Sequence, residues 1–171
     1  YPFDGYWEDI GSVASYYHAS LQLLERRSLI ADQGRPVYTR ASELPPARCT
    51  QNARVSNSII ADGCSIDGIV HGSILCPGVT VERGARVEGG MGFARARIGG
   101  GAAVRRAILD KFVSVGSGAR IGAAGERAVP RSGRDAMEEI AVIGRRCRIA
   151  PGAAVERGIS VEPHTAVGRR R

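Results

Sequence analysis

The sequence predicts a mainly β protein, a left-handed parallel β-helix of hexapeptide repeats preceded by one short helix. Three observations indicate this fold: aliphatic residues recur every six positions, small residues recur four positions after them, and glycine is abundant while aromatic residues are scarce. The chain has 171 residues, of which 23 are glycine and 5% are aromatic, so aliphatic and small side chains have to form the core. A fold that repeats tight corners uses glycine in this way, because glycine tolerates backbone conformations that other residues avoid.

The period of six matches neither an α-helix nor a lone strand, whose side chains repeat every 3.6 and 2 residues. It is typical of the hexapeptide repeat, in which each hexad forms one short strand and one corner, and three hexads form a triangular coil. From Val55 to Gly168 there is room for roughly five coils, stacked ~4.8 Å apart. The anchors are Ile60 and Ile66; Leu75, Val81 and Val87; Ile98 and Val104; Leu109, Val115 and Ile121; and Ile143, Ile149, Val155, Val161 and Val167.

Small residues are expected to fill the interior beside each corner. They are Cys64, Ala85, Ala102, Ala119, Cys147, Ala153 and Thr165. The register slips in three places, which we interpret as bulged corners or short loops. The spacing is nine between Ile66 and Leu75, eleven between Val87 and Ile98, and five between Val104 and Leu109. Residues 122–140 are rich in Gly and charge and predict a loop that leaves one corner.

The beginning of the chain follows a different pattern. Residues 12–27 predict a helix with Ser12 as its N-cap. Its apolar face is formed by Val13, Tyr16, Tyr17, Ser20, Leu21 and Leu24. Pro45 and Pro46 exclude a helix in the segment that follows. We therefore divide the chain into residues 1–30, a linker at 31–54, and a β-helix domain at 55–171.

The charge and the cysteines limit the class of function. The net charge of +7 indicates an anionic partner. Nucleic acid is disfavoured, because no aromatic residues are interleaved with the arginines as a stacking surface would need, and phosphorylated metabolites are the expected anions. The four cysteines form no CxxC pair and have no histidine at ligand spacing, which excludes a typical zinc site and fits a reduced, cytoplasmic compartment. With no signal peptide and no long apolar run, we expect no membrane insertion.

Four segments, in order along the chain, resemble glucose-1-phosphate adenylyltransferases. Residues 5–12, GYWEDIGS, and the helix after them are similar to the closing segment of that family's nucleotidyltransferase domain, and residues 44–47 to its linker. Residues 56–64 are similar to its first coil, and residues 105–111, RRAILDK, with the hexads that follow, to its best-marked C-terminal motif. The resemblance implies the regulatory and oligomerisation part of an enzyme that forms ADP-glucose and pyrophosphate from ATP and glucose 1-phosphate for glycogen synthesis, with a tetramer as the intact assembly.

The same resemblance indicates what the chain lacks. The family's Gly-rich nucleotide loop and most of its α/β catalytic domain lie upstream of the YWEDIG segment, and no GxGxxRL-type phosphate cradle occurs in the sequence. We therefore expect a fragment with no complete catalytic site, inactive by itself in adenylyl transfer. Mg²⁺ is the expected cofactor of the intact enzyme, and none is expected for the fragment.

The resemblance also assigns site residues. It implies that Asp9 helps to hold the catalytic Mg²⁺, together with the missing domain, and that Trp7 lies near the sugar. It implies that Lys111, the only lysine, projects from its coil and binds phosphorylated effectors. The simpler alternatives are a turn carboxylate, a packing aromatic and a solvated lysine. Phe112 stands next to Lys111 where many relatives carry a polar residue.

Further basic residues lie in the predicted loop, where the family often places cations near the effector pocket. They are Arg127, Arg131 and Arg134, for which a solvated loop is the alternative interpretation.

Other functions stay open at this point. One is a non-catalytic paralogue, or a transferase for another sugar or nucleotide; another is a structural module. A third is an acyltransferase, for which His71 and His164 are the available bases, although no motif supports either. If residues 1–30 need a missing sheet to fold, exposed Trp7, Tyr16 and Tyr17 predict a mobile N-terminal segment, and a helix packed on the β-helix would contradict this.

Overall fold

The computed structural model describes residues 2–26, 43–123 and 140–168. Within these residues, one helix, α1 (Val13–Glu25), precedes seventeen short strands that wind into a parallel β-helix of about six turns, which confirms the predicted fold. The strands are β1 (Arg48–Cys49), β2 (Arg54–Ser56), β3 (Ile59–Ile60), β4 (Ser65–Ile66), β5 (Ile69–His71), β6 (Ile74–Leu75), β7 (Thr80–Val81), β8 (Arg86–Gly92), β9 (Arg97–Ile98), β10 (Ala103–Leu109), β11 (Ser114–Val115), β12 (Arg120–Ala123), β13 (Ala141–Ile143), β14 (Arg148–Ile149), β15 (Ala154–Glu156), β16 (Ser160–Val161) and β17 (Ala166–Val167).

Three parallel faces enclose the core. Face 1 consists of β1, β4, β7, β9, β11, β14 and β17. Face 2 consists of β2, β5, the first halves of β8 and β10, β12 and β15, and face 3 of β3, β6, the second halves of β8 and β10, β13 and β16. We number the coils from the chain start: β1–β3 form coil 1, β4–β6 coil 2, β7–β8 coil 3, β9–β10 coil 4, β11–β13 coil 5 and β14–β16 coil 6.

The core is a column of inward-pointing aliphatic residues, as the period of six predicts. The anchors of the middle coils, such as Ile66, Ile98 and Ile143, are fully buried. Each such burial stabilises the fold by about 1.5–3 kcal/mol. The predicted small residues beside the corners are also buried, at Cys64, Ala85, Ala102, Ala119 and Cys147. Ala153 is only partly buried and Thr165 is exposed, because they lie in the last described turns, where no further described coil covers them.

The interpretation of the register slips as bulges or loops is wrong. Every step from face 2 to face 3 in the first four coils spans five residues, so the spacing from Val104 to Leu109 is the rule at this corner. The spacing of nine between Ile66 and Leu75 consists of four residues from Ile66 to Val70 and five from Val70 to Leu75. The spacing of eleven after Val87 divides into five and six, because Gly92 occupies an anchor position.

At this shorter corner, one residue in each of the first four coils adopts a left-handed backbone. In coils 3 and 4 the strand pairing continues through the corner, so β8 and β10 run from face 2 into face 3 without a break. These corner residues are Asn57, Gly72, Gly89 and Arg106, with φ of +42°, +55°, +58° and +43°.

Coil 1 begins at β1, which pairs with β4, so the β-helix includes residues that the sequence pattern assigned to the linker. The hexad pattern misses β1 because Cys49 stands at its inward position, where later coils carry an aliphatic residue. The predicted loop lies between Ala123, the end of β12, and Ala141, the start of β13. Its residues 124–139, with Arg127, Arg131 and Arg134, lie outside the described residues, as do residues 27–42.

The helix α1 begins as predicted at Ser12. The Ser12 hydroxyl accepts a hydrogen bond from the Ser15 N–H at 3.0 Å, and the Ser15 hydroxyl accepts one from the Ser12 N–H at 2.9 Å, which satisfies two free donors of the first turn. Of the predicted apolar face, Tyr17 and Leu24 are buried, whereas Val13 is 53% exposed.

The helix packs on face 3 of the β-helix. Tyr17 is 3% exposed and packs in a cluster with Met91, Ile108 and Ile140. This contact contradicts the expectation of a mobile N-terminal segment, because face 3 supplies the apolar surface that the helix needs.

Candidate functional site

Lys111 lies on the corner between face 3 and face 1, where neighbouring coils stack through backbone hydrogen bonds. The N–H groups of Arg95, Phe112 and Arg146 donate to carbonyl oxygens of the preceding coil at 3.0 Å each. The acceptor for Arg146 is Lys111 itself. We call the side chains that three successive coils expose here the basic ridge: Arg95, Lys111, Phe112, Arg145 and Arg146.

The position of Lys111 follows from the end of β10. Leu109 is the buried anchor, and the chain turns immediately after it through Asp110, Lys111 and Phe112. The Lys111 N–H donates to the Asp110 carboxylate at 2.6 Å, which fixes the turn. The Lys111 side chain is thereby exposed on the corner.

Two contacts describe the side chains of the ridge. The Arg146 guanidinium lies 5.6 Å from the centre of the Phe112 ring, within the range of a cation–π interaction. A Cβ added to Gly78 would lie 3.2 Å from Cγ of Arg95, so the Arg95 stem lies against the bare glycine of coil 2. Both arginines therefore lean toward the preceding coil.

The charge of Lys111 acts on a cysteine of the same corner. Burial raises the pKa of the Cys76 thiol, and the nearby Cys64 raises it further, while the Lys111 charge acts to lower it. Cys76 lies in coil 2, at the same corner as Gly78, so the ammonium group acts across the corner of coil 3. Lys111 and Arg95 thus belong to the same corner of the β-helix, in successive coils.

The ridge residues adopt a costly backbone conformation. In coils 1 and 2 the left-handed position of this corner is occupied by Gly63 and Gly78, which adopt it without strain. In the next four coils it is occupied by residues with a Cβ, for which the left-handed conformation costs roughly 1–2 kcal/mol each. These are Arg95, Phe112, Arg146 and His164, with φ of +59°, +62°, +56° and +64°.

Trp7 and Asp9 lie on a separate surface, formed by the segment before α1. Trp7 is 72% exposed and borders a groove of about 370 Å³. Its lining is Tyr6, Trp7, Glu8, Ile10, Ala19, Ser20 and Leu23. The Tyr6 hydroxyl donates to Gln22 at 3.2 Å, which ties the segment to α1. Asp9 is exposed, and the described part of the chain holds no group of three or more His, Cys, Asp or Glu residues that could bind a metal ion.

The two histidines considered as bases lie apart. Nδ1 of His71 is 2.9 Å from the Ser56 hydroxyl, at the corner between faces 2 and 3 of coil 2. His164 lies at the corner between faces 3 and 1, after coil 6. The fold therefore does not bring them together within one chain.

The sequence analysis missed two groups of residues. One is the contact of α1 with face 3, where the Tyr17 hydroxyl donates to the carbonyl oxygen of Gly89 in a short hydrogen bond. The other is the pair of arginines beside Lys111. Arg95 precedes Phe112 by seventeen residues, one coil, and this spacing could have identified it. Arg146 could not be found in this way, because the interruption between β12 and β13 lies between it and Phe112.

Comparison with known proteins agrees with the fold. A family model described as GlmU-like, C-terminal hexapeptide, matches residues 45–136. A solved mutant of perosamine N-acetyltransferase from Caulobacter crescentus, in complex with CoA and GDP-perosamine, is 17% identical with a TM-score of 0.57. The similarity covers 73% of this chain and 54% of that one, and it shows a shared fold only. No described helix has the length and apolar character that a membrane crossing requires.

Curated relatives extend the match beyond the β-helix. A glucose-1-phosphate adenylyltransferase from Desulfitobacterium hafniense is 31% identical over 168 residues, which cover 97% of this chain and 41% of the relative. One from Corynebacterium jeikeium is 39% identical over 122 residues, which cover 69% of this chain and 30% of the relative. The chain thus spans less than half the length of these relatives and matches their C-terminal part. Since the family model also covers more than half of its residues, the chain belongs to the family of GlmU-like C-terminal hexapeptide domains, in the form found in glucose-1-phosphate adenylyltransferases.

Proposed function

We propose that this chain is the C-terminal regulatory and assembly part of an enzyme that forms ADP-glucose and pyrophosphate from ATP and glucose 1-phosphate, for glycogen synthesis. The observation that carries the proposal is the extent of the Desulfitobacterium match, which covers 97% of the chain. A free-standing hexapeptide module would account for residues 45–136 but not for the GYWEDIGS segment and α1.

The regulatory part of the proposal places a phosphorylated metabolite at Lys111. An exposed lysine supplies a compact point charge for a phosphate group, and arginines supply paired donors. The basic ridge combines both types, and the chain's excess of positive charge attracts such anions to it. Lys111 is therefore the residue that we expect to determine the response to effectors.

The catalytic part of the proposal lies with the whole enzyme. Asp9 offers carboxylate oxygen, the donor that Mg²⁺ prefers. The described residues place no cluster of further acidic ligands around it, so they do not form a Mg²⁺ site by themselves. In the intact enzyme the metal would supply charge neutralisation at the transferred phosphate, with its other ligands contributed from outside the described residues. Trp7 is exposed, and we propose that it contacts the sugar in the intact enzyme.

The assembly part of the proposal rests on the shape of the β-helix. The outermost coils leave strand edges without a further described coil, and such edges are natural association surfaces. We propose a homo-oligomer, a tetramer in the intact enzyme, in the cytoplasm.

The test measures ADP-glucose formation by the intact protein and by the 171-residue chain. We expect activity in the intact protein and none in the chain alone. In the intact protein, Lys111→Gln should raise the concentration of phosphorylated metabolite needed for half-maximal response at least tenfold. Arg120→Gln, which removes an exposed charge on face 2, is the matched control and should leave that concentration within twofold.

Two results would count against the proposal. If the intact protein binds phosphorylated metabolites but forms no ADP-glucose, it is a non-catalytic paralogue. If the Lys111→Gln variant needs the same metabolite concentration for half-maximal response as the unmodified protein, the effector site lies elsewhere.

A further inference from the structure

Face 2 carries two outward columns of side chains, one at the start and one at the end of its short strands. In the first column, long arginines alternate with shorter apolar residues from one coil to the next. From coil 1 to coil 6 this column consists of Arg54, Ile69, Arg86, Ala103, Arg120 and Ala154. The three arginines are exposed, and among the described residues they make no salt bridge. The column therefore alternates raised and recessed positions, with a repeat of two inter-coil spacings, or about 10 Å.

The second column of face 2 has a pair of opposite charges at its centre. Glu88 of coil 3 and Arg105 of coil 4 are neighbours in the strand register, and their side chains form a salt bridge of 2.9 Å. The Glu88 side chain is 36% exposed and that of Arg105 is 54% exposed. Since a carboxylate and a guanidinium each bind more than one partner, both groups can accept a second one from outside the chain.

A second copy of this chain complements the first column. The copy is turned about a two-fold axis that runs along the strands, midway between coils 3 and 4. This rotation keeps each column opposite itself and places coil 3 opposite coil 4, coil 2 opposite coil 5, and coil 1 opposite coil 6. Arg86 then faces Ala103 of the second copy, and Arg54 faces Ala154 of the second copy. Because a two-fold contact is isologous, each of these pairings occurs twice.

The same rotation pairs the charges of the second column. It places Glu88 opposite Arg105 of the second copy, and Arg105 opposite Glu88 of the second copy. The four charges then alternate in sign around the axis, with one salt bridge within each chain and two between the chains. At the ends of the contact, Arg54 lies beside Glu156 of the second copy, since Glu156 follows Ala154 by two residues on the same strand.

The other faces do not have this property. On face 1 the same rotation places Arg48 of coil 1 opposite Arg148 of coil 6, and both are exposed cations. Like charges placed opposite each other across a contact oppose association. The middle of face 3 is already covered by α1. Face 2 is therefore the face that is complementary to itself.

The size of face 2 predicts a weak contact. Six coils stacked ~4.8 Å apart and strands of three residues give an area of about 29 Å by 10 Å, well below the roughly 800 Å² per partner of a stable interface. Face 2 also carries more arginine than acid, which opposes self-association. The isolated chain should consequently dimerise only at high protein concentration.

We propose that face 2 is an interface between two copies of this chain, related by a two-fold axis between coils 3 and 4. The inference rests on the assembly role proposed above and names the face, the orientation of the two copies and the residues that determine it. Glu88 and Arg105 supply the specificity of the contact, and Ala103 supplies the space for Arg86 of the second copy.

The test is sedimentation equilibrium of the 171-residue chain, up to millimolar concentration. Glu88→Arg places four cations around the axis, and Arg105→Glu places four anions there, so each variant should raise the dimer dissociation constant about tenfold or more. Both side chains are exposed, so the variants should stay folded, which circular dichroism checks. The matched control is Arg148→Glu on face 1, with the same change of charge as Arg105→Glu, which should stay within twofold.

A mixture of the two variants separates the contact between chains from the salt bridge within each chain. In the mixture, the central cations of one variant face the central anions of the other, whereas the salt bridge within each chain remains broken. The two variants should therefore form heterodimers at least as readily as the unmodified chain forms dimers. Ala103→Arg, which leaves every charged pair intact but fills the space for Arg86 of the second copy, should weaken dimerisation as strongly as either charge reversal.

The outcomes distinguish this inference from the proposed assembly role. If the chain associates but the face 2 variants behave as Arg148→Glu does, the assembly role stands and the interface lies on another surface. If both reversals weaken association and the mixture does not restore it, Glu88 and Arg105 act only within one chain and the inference is wrong. If the 171-residue chain stays monomeric, the face 2 contact is overturned, and the assembly role is overturned with it if the intact protein is also monomeric.

Discussion

Face 1 and face 3 use the same inward aliphatic column but differ in the side chains that point outward. The outward column of face 1 is polar from β1 to β14, with Arg48, Ser65, Thr80, Arg97, Ser114 and Arg148, and ends in Ala166 of β17. The outward column of face 3 is apolar through coil 5, with Ile59, Ile74, Met91, Ile108 and Val142, and ends in Ser160 of coil 6. A strand that is apolar on both sides is typical of a sheet covered on both sides, and a strand that alternates is typical of a sheet with one side in water.

The difference shows where a β-helix accepts a partner. The helix α1 covers the middle of the apolar column, and Tyr17 holds it there through apolar packing and a hydrogen bond to Gly89. On face 1 the described structure places no helix. The repeat therefore determines the fold, and the outward residues determine which face is an interface.

The largest expected effect is at Ile108, whose outward-pointing side chain is buried beneath α1. Ile108→Ala should lower the free energy of unfolding by about 3 kcal/mol, because it removes buried methyl groups and leaves a cavity under α1. Its counterpart in the next coil of face 1, Ser114→Ala, should change stability by less than about 0.5 kcal/mol. Urea denaturation of both variants measures the contrast, and equal losses would remove the distinction between the faces.

The next effect is at Gly89, whose backbone forms the corner beneath Tyr17. An added Cβ would lie 3.1 Å from the Tyr17 hydroxyl oxygen, and φ is +58°. Gly89→Ala should therefore cost about 2 kcal/mol, from left-handed strain together with a weakened hydrogen bond.

Gly118 supplies the control for Gly89. Its φ is +67°, but nothing lies within 4 Å of an added Cβ. Gly118→Ala should cost only the strain, about 1 kcal/mol. If thermal denaturation shows the same loss for both variants, the contact of Tyr17 with the corner contributes nothing.

A smaller effect is expected for the Tyr17 hydroxyl alone. Tyr17→Phe leaves the Gly89 carbonyl without this donor and should cost about 1 kcal/mol. Tyr16→Phe, one position earlier on α1, should change stability by less than about 0.5 kcal/mol. Denaturation curves of the two variants with equal midpoints would refute a specific role for Tyr17.

The same hydroxyl predicts a pH dependence. Burial raises the pKa of Tyr17 above its ordinary value, and the nearby Arg106 charge acts in the opposite direction. In the unfolded chain Tyr17 ionises near pH 10, while the folded form still holds its proton. The unfolded state then binds fewer protons, so this contribution to stability is complete below pH 10 and is lost as the pH rises through the folded pKa. The stability difference between the unmodified chain and Tyr17→Phe should be constant from pH 7 to about pH 9 and shrink above pH 10.

The smallest effect is expected on face 1. Arg97 pairs with Glu82 at 2.9 Å, but both side chains are well exposed to solvent. Arg97→Gln should change the free energy of unfolding by less than about 0.5 kcal/mol, and added salt should remove even this difference. A loss comparable to that of Ile108→Ala would show that face 1 also carries structural contacts that the outward column does not reveal.

The sequence predicts the β-helix well because its inward positions accept few residue types. An aliphatic anchor such as Ile98 and a small residue such as Ala102 recur at fixed spacing, since the triangular interior admits only compact apolar side chains, Val79 and Val113 being the larger residues at the second position. The five-residue step from face 2 to face 3 was interpreted as an irregularity, because the sequence does not show which anchors belong to which face. In coil 3 the anchor position of face 3 is occupied by Gly92, so the five-residue step could not be recognised from aliphatic residues alone.

Contacts between distant parts of the chain were not predictable in the same way. Tyr17 and Gly89 are 72 residues apart, and no local pattern connects them. Lys111 was identified through resemblance, but its neighbours Arg95 and Arg146 come from other coils and meet it only when the coils stack. The sequence thus indicated one residue of the ridge, and the fold added the others.

Amide hydrogen exchange of α1 in the 171-residue chain tests most directly whether the helix and face 3 form one structural unit. If they do, the amides of α1 from Tyr17 to Leu24 should be protected to a degree that approaches β8 and β10, and Ile108→Ala should lower the protection of α1 selectively. Exchange of α1 at the rate of an unstructured peptide, while β8 and β10 stay protected, would contradict this account.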